Sequence, residues 1–155
     1  EKAKEFIDEY FKDFSGIARY METLKNKAKK SGFTETLFGR RRYLPELNSP
    51  NYMLRSQAER MAINMPIQGL EADIMKKAMI AVDKWLAKEK ENNIRMILQV
   101  HDELLFEVKK DFVKKAAPKI VEIMEGVINL KVPITAEAKI GDNWGKLRIF
   151  SKNLS

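Results

Sequence analysis

The chain has 155 residues, with Lys+Arg 29 against Asp+Glu 22 for a formal net charge of +7; hydrophobic residues make up 45% and charged residues 33%. That balance excludes a disordered tail and a low-complexity or collagen-like chain, and the absence of cysteine removes disulfide frameworks, thiolate zinc sites and cysteine nucleophiles. A single histidine, His101, excludes any site built on two imidazoles, and the excess positive charge favours an anionic partner such as nucleic acid or a membrane surface.

Residues 2–30 read as helical, because Phe6, Ile7, Tyr10, Phe11 and Phe14 recur at helical spacing. Ser15-Gly16 is expected to break or kink this stretch, and Ser31-Gly32 to end it behind Lys29 and Lys30. Phe33 to Leu37 and Arg41 to Leu44 follow as short extended pieces around a turn at Gly39. Asn48-Ser49-Pro50 opens a long helical region to about Lys90, for which Pro66 predicts a kink or a change of helix. Ile94 to Val100 and Leu104 to Val108 read as a hairpin with His101, Asp102 and Glu103 at its tip. A helix from about Asp111 to Met124 and a strand from Ile134 to Ile140 complete the chain. This order suggests an α+β fold, a small antiparallel sheet with a carboxylate-tipped hairpin, backed by long helices. The longest uncharged run, Met61 to Leu70, is too short to cross a bilayer. The first residues lack the apolar core of a signal peptide, so a soluble, intracellular protein is expected.

Three groups of residues are able to carry chemistry. Between Lys25 and Arg42 stand seven basic residues and one acid, Glu35, a local excess of +6. Such a cluster is either a solvated helix end and loop or a patch that tracks phosphates and releases their counterions. Asp102 and Glu103 sit among apolar strand residues. A carboxylate held rigidly and partly desolvated at a buried hairpin tip suits magnesium, which prefers oxygen ligands, although Asp is also an ordinary turn residue. Arg60, Asn64 and Gln68, spaced four apart, form one stripe on a helix if Pro66 leaves the phase intact. Asn and Gln can donate to minor-groove acceptors, which look alike in A·T and T·A pairs, but an exposed helix face is also ordinarily polar. His101 by itself fits a hydrogen-bonded structural role, and Met61, Met65, Met75 and Met79 fit core packing.

Three segments occur together in a familiar order: Thr36-Leu37-Phe38-Gly39-Arg40-Arg41-Arg42-Tyr43, then Ala58-Glu59-Arg60-Met61-Ala62-Ile63-Asn64-Met65-Pro66-Ile67-Gln68-Gly69, then Gln99-Val100-His101-Asp102-Glu103. They resemble the C-terminal part of the DNA polymerase I family (family A), the last segment resembling its palm motif C. The resemblance covers essentially the whole chain. It implies that Asp102 binds the catalytic magnesium ions, with Glu103 as the adjacent, supporting acid. It also implies that His101 lies near the primer end, and that Arg60, Asn64 and Gln68 contact primer–template DNA, in part through the minor groove. Arg40, Arg41 and Arg42 match a basic segment after the fingers helices.

By the same resemblance, residues 1–48 are the trailing fingers segment with its return to the palm, and residues 49–155 are the C-terminal palm segment. The Asp-Tyr-Ser-type motif A, which supplies the other metal-binding aspartate, and the nucleotide-gripping fingers helix do not occur in this sequence. The expectation is therefore an incomplete polymerase domain that adds deoxynucleotides to a primer once joined by a complementary N-terminal chain. Its partners would be primer–template DNA and a deoxynucleoside triphosphate, with two Mg2+ ions shared with that chain. Its place would be the cytoplasm, near the nucleoid, in a bacterial or viral setting, with an organelle as the alternative. The rival expectations are a non-catalytic basic nucleic-acid-binding module and a purely structural helical partner.

Overall fold

In the computed structural model of the chain, which describes residues 2–89 and 92–150, Lys2–Asp13 forms helix α1 and Ser15–Ser31 forms helix α2. The break falls at Phe14, whose backbone leaves the helical region beside the expected Ser15-Gly16. Helix α2 ends at Gly32, whose φ of 75 is left-handed and whose N–H bonds back to the Ala28 carbonyl, a conformation glycine adopts without steric cost. Strands β1 (Phe33–Glu35) and β2 (Arg41–Tyr43) pair antiparallel, Phe33 opposite Tyr43 and Glu35 opposite Arg41. Helix α3, Tyr52–Leu86, begins behind Asn51, whose side-chain oxygen accepts the N–H groups of Met53 and Leu54 and so satisfies donors that the first turn leaves open.

Two compact units divide the chain, Glu1–Glu71 and Ala72–Ser155. In the first, Ala28, Leu44, Leu47, Ala58 and Ala62 form the core, with Met61 packed against it. The small residues of α2 and α3 let the chain between them approach closely. Helix α1 buries none of its residues, and Phe6, Ile7 and Phe14 are exposed. In the second unit, strands β3 (Ile94–Val100) and β4 (Glu103–Val108) form an antiparallel hairpin, followed by helix α4, Val113–Gly126. Val82, Ala116 and Ile120 make its core, against which Trp85, Ile94, Phe106 and Val108 pack. Strands β5 (Lys139–Ile140) and β6 (Arg148–Ile149) pair separately. The architecture is thus α+β and helix-rich, with three two-stranded antiparallel sheets among the described residues. No described helix is long and apolar enough to cross a membrane.

The structure corrects four expectations. Helix α3 continues through Pro66 as one helix, so the change of helix expected there does not occur; Thr34 Oγ1 in β1 donates at 3.2 Å to the Ala62 carbonyl, the acceptor that the proline leaves without its N–H. It ends at Leu86; Lys90 lies outside the described residues. The strand expected over Ile134 to Ile140 is reduced to its last two residues, since only these find a partner, in β6. Finally, the hairpin is not buried. One side packs on α4, but Ile97 and Leu98 are exposed, as are His101, Asp102 and Glu103. A two-stranded sheet covered on one side leaves its other side and its tip in water.

Candidate nucleic-acid interface

The stripe on α3 and the basic segment of β2 meet. An open cleft of ≈ 690 Å³ is lined by Arg40, Arg41, Arg42 and Arg60, by the amides of Gln57, Asn64 and Gln68, and by Met61, Met65 and Gly69. Four of these lining side chains are guanidiniums and none is a carboxylate, so the cleft is complementary to an anion. Because α3 stays helical through Pro66, Arg60, Asn64 and Gln68 keep one face, and all three are exposed. Gln57 was missed from sequence. Its signal was its place seven residues before Asn64, two turns back on the same face.

The β1–β2 turn presents the arginines. Thr36 N–H donates to the Arg40 carbonyl at 2.9 Å, and Thr36 Oγ1 accepts the N–H groups of Phe38 and Arg40, each at 3.3 Å. Thr36 is buried, and its Cγ2 lies against Gly69. A Cβ added at Gly69 would come 2.5 Å from that methyl, so the turn reaches the helix only because residue 69 has no side chain. Arg42 donates to the Met61 thioether at 3.3 Å. Sulfur is a weak acceptor, so this contact orients the guanidinium without neutralising it. Arg41 behaves differently: it bonds Glu35 at 3.2 Å and lies over the Phe33 ring at 4.5 Å.

The basic stretch is also less charged than its sequence. Lys25 pairs with Glu22, Lys27 with Glu35 and Lys29 with Glu59, and two of those acids lie outside residues 25–42. Hydrogen bonding from Arg41, then from Lys27, holds the Glu35 carboxyl below its usual range. Lys29 does the same for Glu59, and Lys25 for Glu22. The patch is accordingly focused on the cleft and not spread along α2.

In the second unit, His101 and Asp102 form a two-residue turn, and Glu103 is already the first residue of β4, opposite Val100. His101 has φ 52, the single positive value outside glycine among the described residues. Left-handed backbone costs an ordinary residue about 1–2 kcal/mol, and here the Gln99 side chain secures it by donating to the His101 carbonyl at 2.6 Å. A register shift between Met96 and Leu98 puts an extra residue into β3, a bulge that re-aims the strand toward its tip. Among the described residues, no group of three or more His, Cys, Asp or Glu is gathered to hold an ion.

The sequence model for DNA polymerase family A matches residues 1–146. This chain belongs to DNA polymerase family A. It is 50% identical over 144 residues to DNA polymerase I of Pseudomonas aeruginosa, covering 93% of this chain and 16% of that protein. It is 46% identical to DNA polymerase I of Bacillus subtilis over 93% of this chain and 16% of the relative. Against the thermostable DNA polymerase I of Thermus aquaticus the identity is 44%, over 93% of this chain and 17% of the relative. The family A chain therefore spans about a sixth of the length of these curated relatives. Among solved structures, the POL domain of Pol1 from M. smegmatis, in complex with DNA primer-template and dNTP, superposes with a TM-score of 0.81 at 45% identity. That alignment covers 86% of this chain and 23% of the other.

Proposed function

We propose that this family A chain supplies the DNA-contacting and part of the metal-binding surface of a DNA-directed DNA polymerase. In this reading residues 1–48 are the trailing fingers segment and its return, and residues 49–155 the C-terminal palm. The chain works with the parts of the enzyme that carry motif A and the nucleotide-binding fingers helix, and alone it is inactive. The observation that carries the reading is the cleft, where four arginines and three amides converge without a carboxylate, in a chain of this family.

Each group has a task that its chemistry suits. Arg40, Arg41, Arg42 and Arg60 neutralise phosphates of the primer–template, Arg41, partly neutralised by Glu35, contributing less than Arg42. Asn64 and Gln68 donate to minor-groove acceptors, which keep their positions in correctly paired DNA whatever its sequence. His101, on the strained turn, lies near the primer end. Asp102, with Glu103 beside it, offers the hard oxygen donors that magnesium takes, usually one or two carboxylates completed by water and substrate phosphates. Two adjacent exposed carboxylates fit such an ion as one side of a shared site. The chemistry magnesium supplies there is a lowered pKa for the primer 3′-hydroxyl and stabilisation of the leaving oxygens.

The test is the salt dependence of primer–template binding. Each phosphate contact contributes about 0.9 to the slope of log K against log salt. Changing Arg42 and Arg60 to Ala should flatten the slope by nearly two such increments, and Arg41→Ala should flatten it less than Arg42→Ala. Asp102→Ala should leave binding intact, since removing a negative charge does not weaken attraction to phosphate. An unchanged slope in the Arg42/Arg60 variant would refute the reading of the cleft.

A further inference from the structure

In an α-helix the carbonyl of residue 62 accepts the N–H of residue 66, and in this chain residue 66 is proline. Proline commonly kinks a helix there, because the freed carbonyl turns toward water or another donor. Ala62 is fully buried and Thr34 is 5% exposed, so water is not the donor; Thr34 Oγ1, 28 residues earlier in the chain, takes that part at 3.2 Å. Two residues further along the same segment, Thr36 lies against Gly69. The β1 segment thus touches α3 on both sides of the proline, once by a hydrogen bond and once by van der Waals contact.

We propose that Thr34 is a positioning residue for the arginine cleft, its hydroxyl replacing the amide that Pro66 lacks. It thereby keeps Arg60 and Asn64, which precede the proline, on one face with Gln68, which follows it. The role in DNA contact rests on the reading given above; the hydroxyl-for-amide exchange does not. Without the hydroxyl, a buried carbonyl loses its partner, and the helix regains one only by bending at Pro66. Bending carries Gln68 and Gly69 away from Arg60, and it loosens the seat of the Thr36 turn that presents Arg40 and Arg42.

The experiment is a double-mutant cycle in the full chain. Thr34→Val keeps the shape and removes the donor, Thr34→Ser keeps the donor, and Pro66→Ala restores the helical N–H. Thr34→Val should raise the unfolding equilibrium constant by about tenfold and speed hydrogen exchange of the Gln68 to Leu70 amides. In the Pro66→Ala background the same change should alter either readout by no more than about twofold, and Thr34→Ser should behave as wild type. Primer–template affinity should follow the same pattern. Equal effects of Thr34→Val in both backgrounds would overturn the proposal, as would a Thr34→Ser variant as impaired as Thr34→Val. Unfolding and exchange need no DNA, so failure of the wild-type chain to bind primer–template would refute the reading of the cleft while leaving the coupling to be judged separately.

Discussion

Gly69→Ala isolates the contact that seats the arginine-bearing turn on α3. In an exposed helix the change would stabilise, since Ala is favoured over Gly by about 1 kcal/mol. Here the new Cβ would lie 2.5 Å from Thr36 Cγ2 and 3.4 Å from the Met65 methyl. Met65 is flexible and can yield. Thr36 cannot do so alone: it is β-branched, stiff at χ1, and its hydroxyl accepts two backbone N–H groups of the turn. The displacement therefore passes to the turn itself. Overpacking of this kind costs about 1–3 kcal/mol, which offsets the helix gain and leaves a net loss of up to about 2 kcal/mol. Denaturant unfolding of Gly69→Ala should show this loss, with weaker primer–template binding beside it. Adding Thr36→Ser, which removes the methyl and keeps the hydroxyl, should restore both. A Gly69→Ala protein more stable than wild type and unaltered in binding would refute the reasoning.

Two further outcomes are expected. In the enzyme assembled with the parts carrying motif A and the nucleotide-binding fingers helix, Asn64→Ala and Gln68→Ala should reduce extension from matched primer ends by severalfold to about tenfold, the worth of one hydrogen bond, and should change the ratio of matched to mismatched extension; steady-state primer extension by that assembly checks this. Acid should loosen the first unit. The carboxyls of Glu35, Glu59 and Glu22 are held low by Arg41, Lys29 and Lys25. Their contribution is therefore complete above the ordinary carboxylate value of about 4.3 and disappears as pH falls through the lower folded-state values. Thermal unfolding against pH should show a decline in that acid range, flatter in Glu35→Gln and flatter in high salt, which screens exposed pairs.

Features set by neighbouring residues are legible in the amino-acid sequence. Gly32 and Gly39 punctuate the first unit as their backbone freedom dictates, and the break expected at Ser15-Gly16 falls one residue earlier, at Phe14. The β3–β4 pattern places the tip at His101 to Glu103, of which His101 and Asp102 form the turn. Features set by distant residues are not. Pro66 announces a break, but α3 continues through it, and the hydroxyl that donates to the freed Ala62 carbonyl belongs to Thr34, 28 residues earlier. The charge of residues 25–42 announces a strong patch, but Glu22 and Glu59 lie outside the window. The alternation of Ile134, Ala136, Ala138 and Ile140 announces a strand, but a strand needs a partner, and β6 pairs only with Lys139 and Ile140. At the cleft, the stripe of Arg60, Asn64 and Gln68 is legible from spacing. Its meeting with Arg40 to Arg42 depends on the close approach of Thr36 to Gly69, which no local pattern encodes.

The central claim is that this chain completes a magnesium-dependent polymerase through Asp102. It is tested most directly by single-nucleotide incorporation, with and without magnesium, in an enzyme assembled from this chain and the parts carrying motif A and the nucleotide-binding fingers helix. The wild-type assembly should incorporate only with magnesium, and the chain alone should not incorporate. Asp102→Ala should abolish incorporation while primer–template binding persists, and Glu103→Ala should retain measurable activity. Full incorporation by the Asp102→Ala assembly would contradict the account.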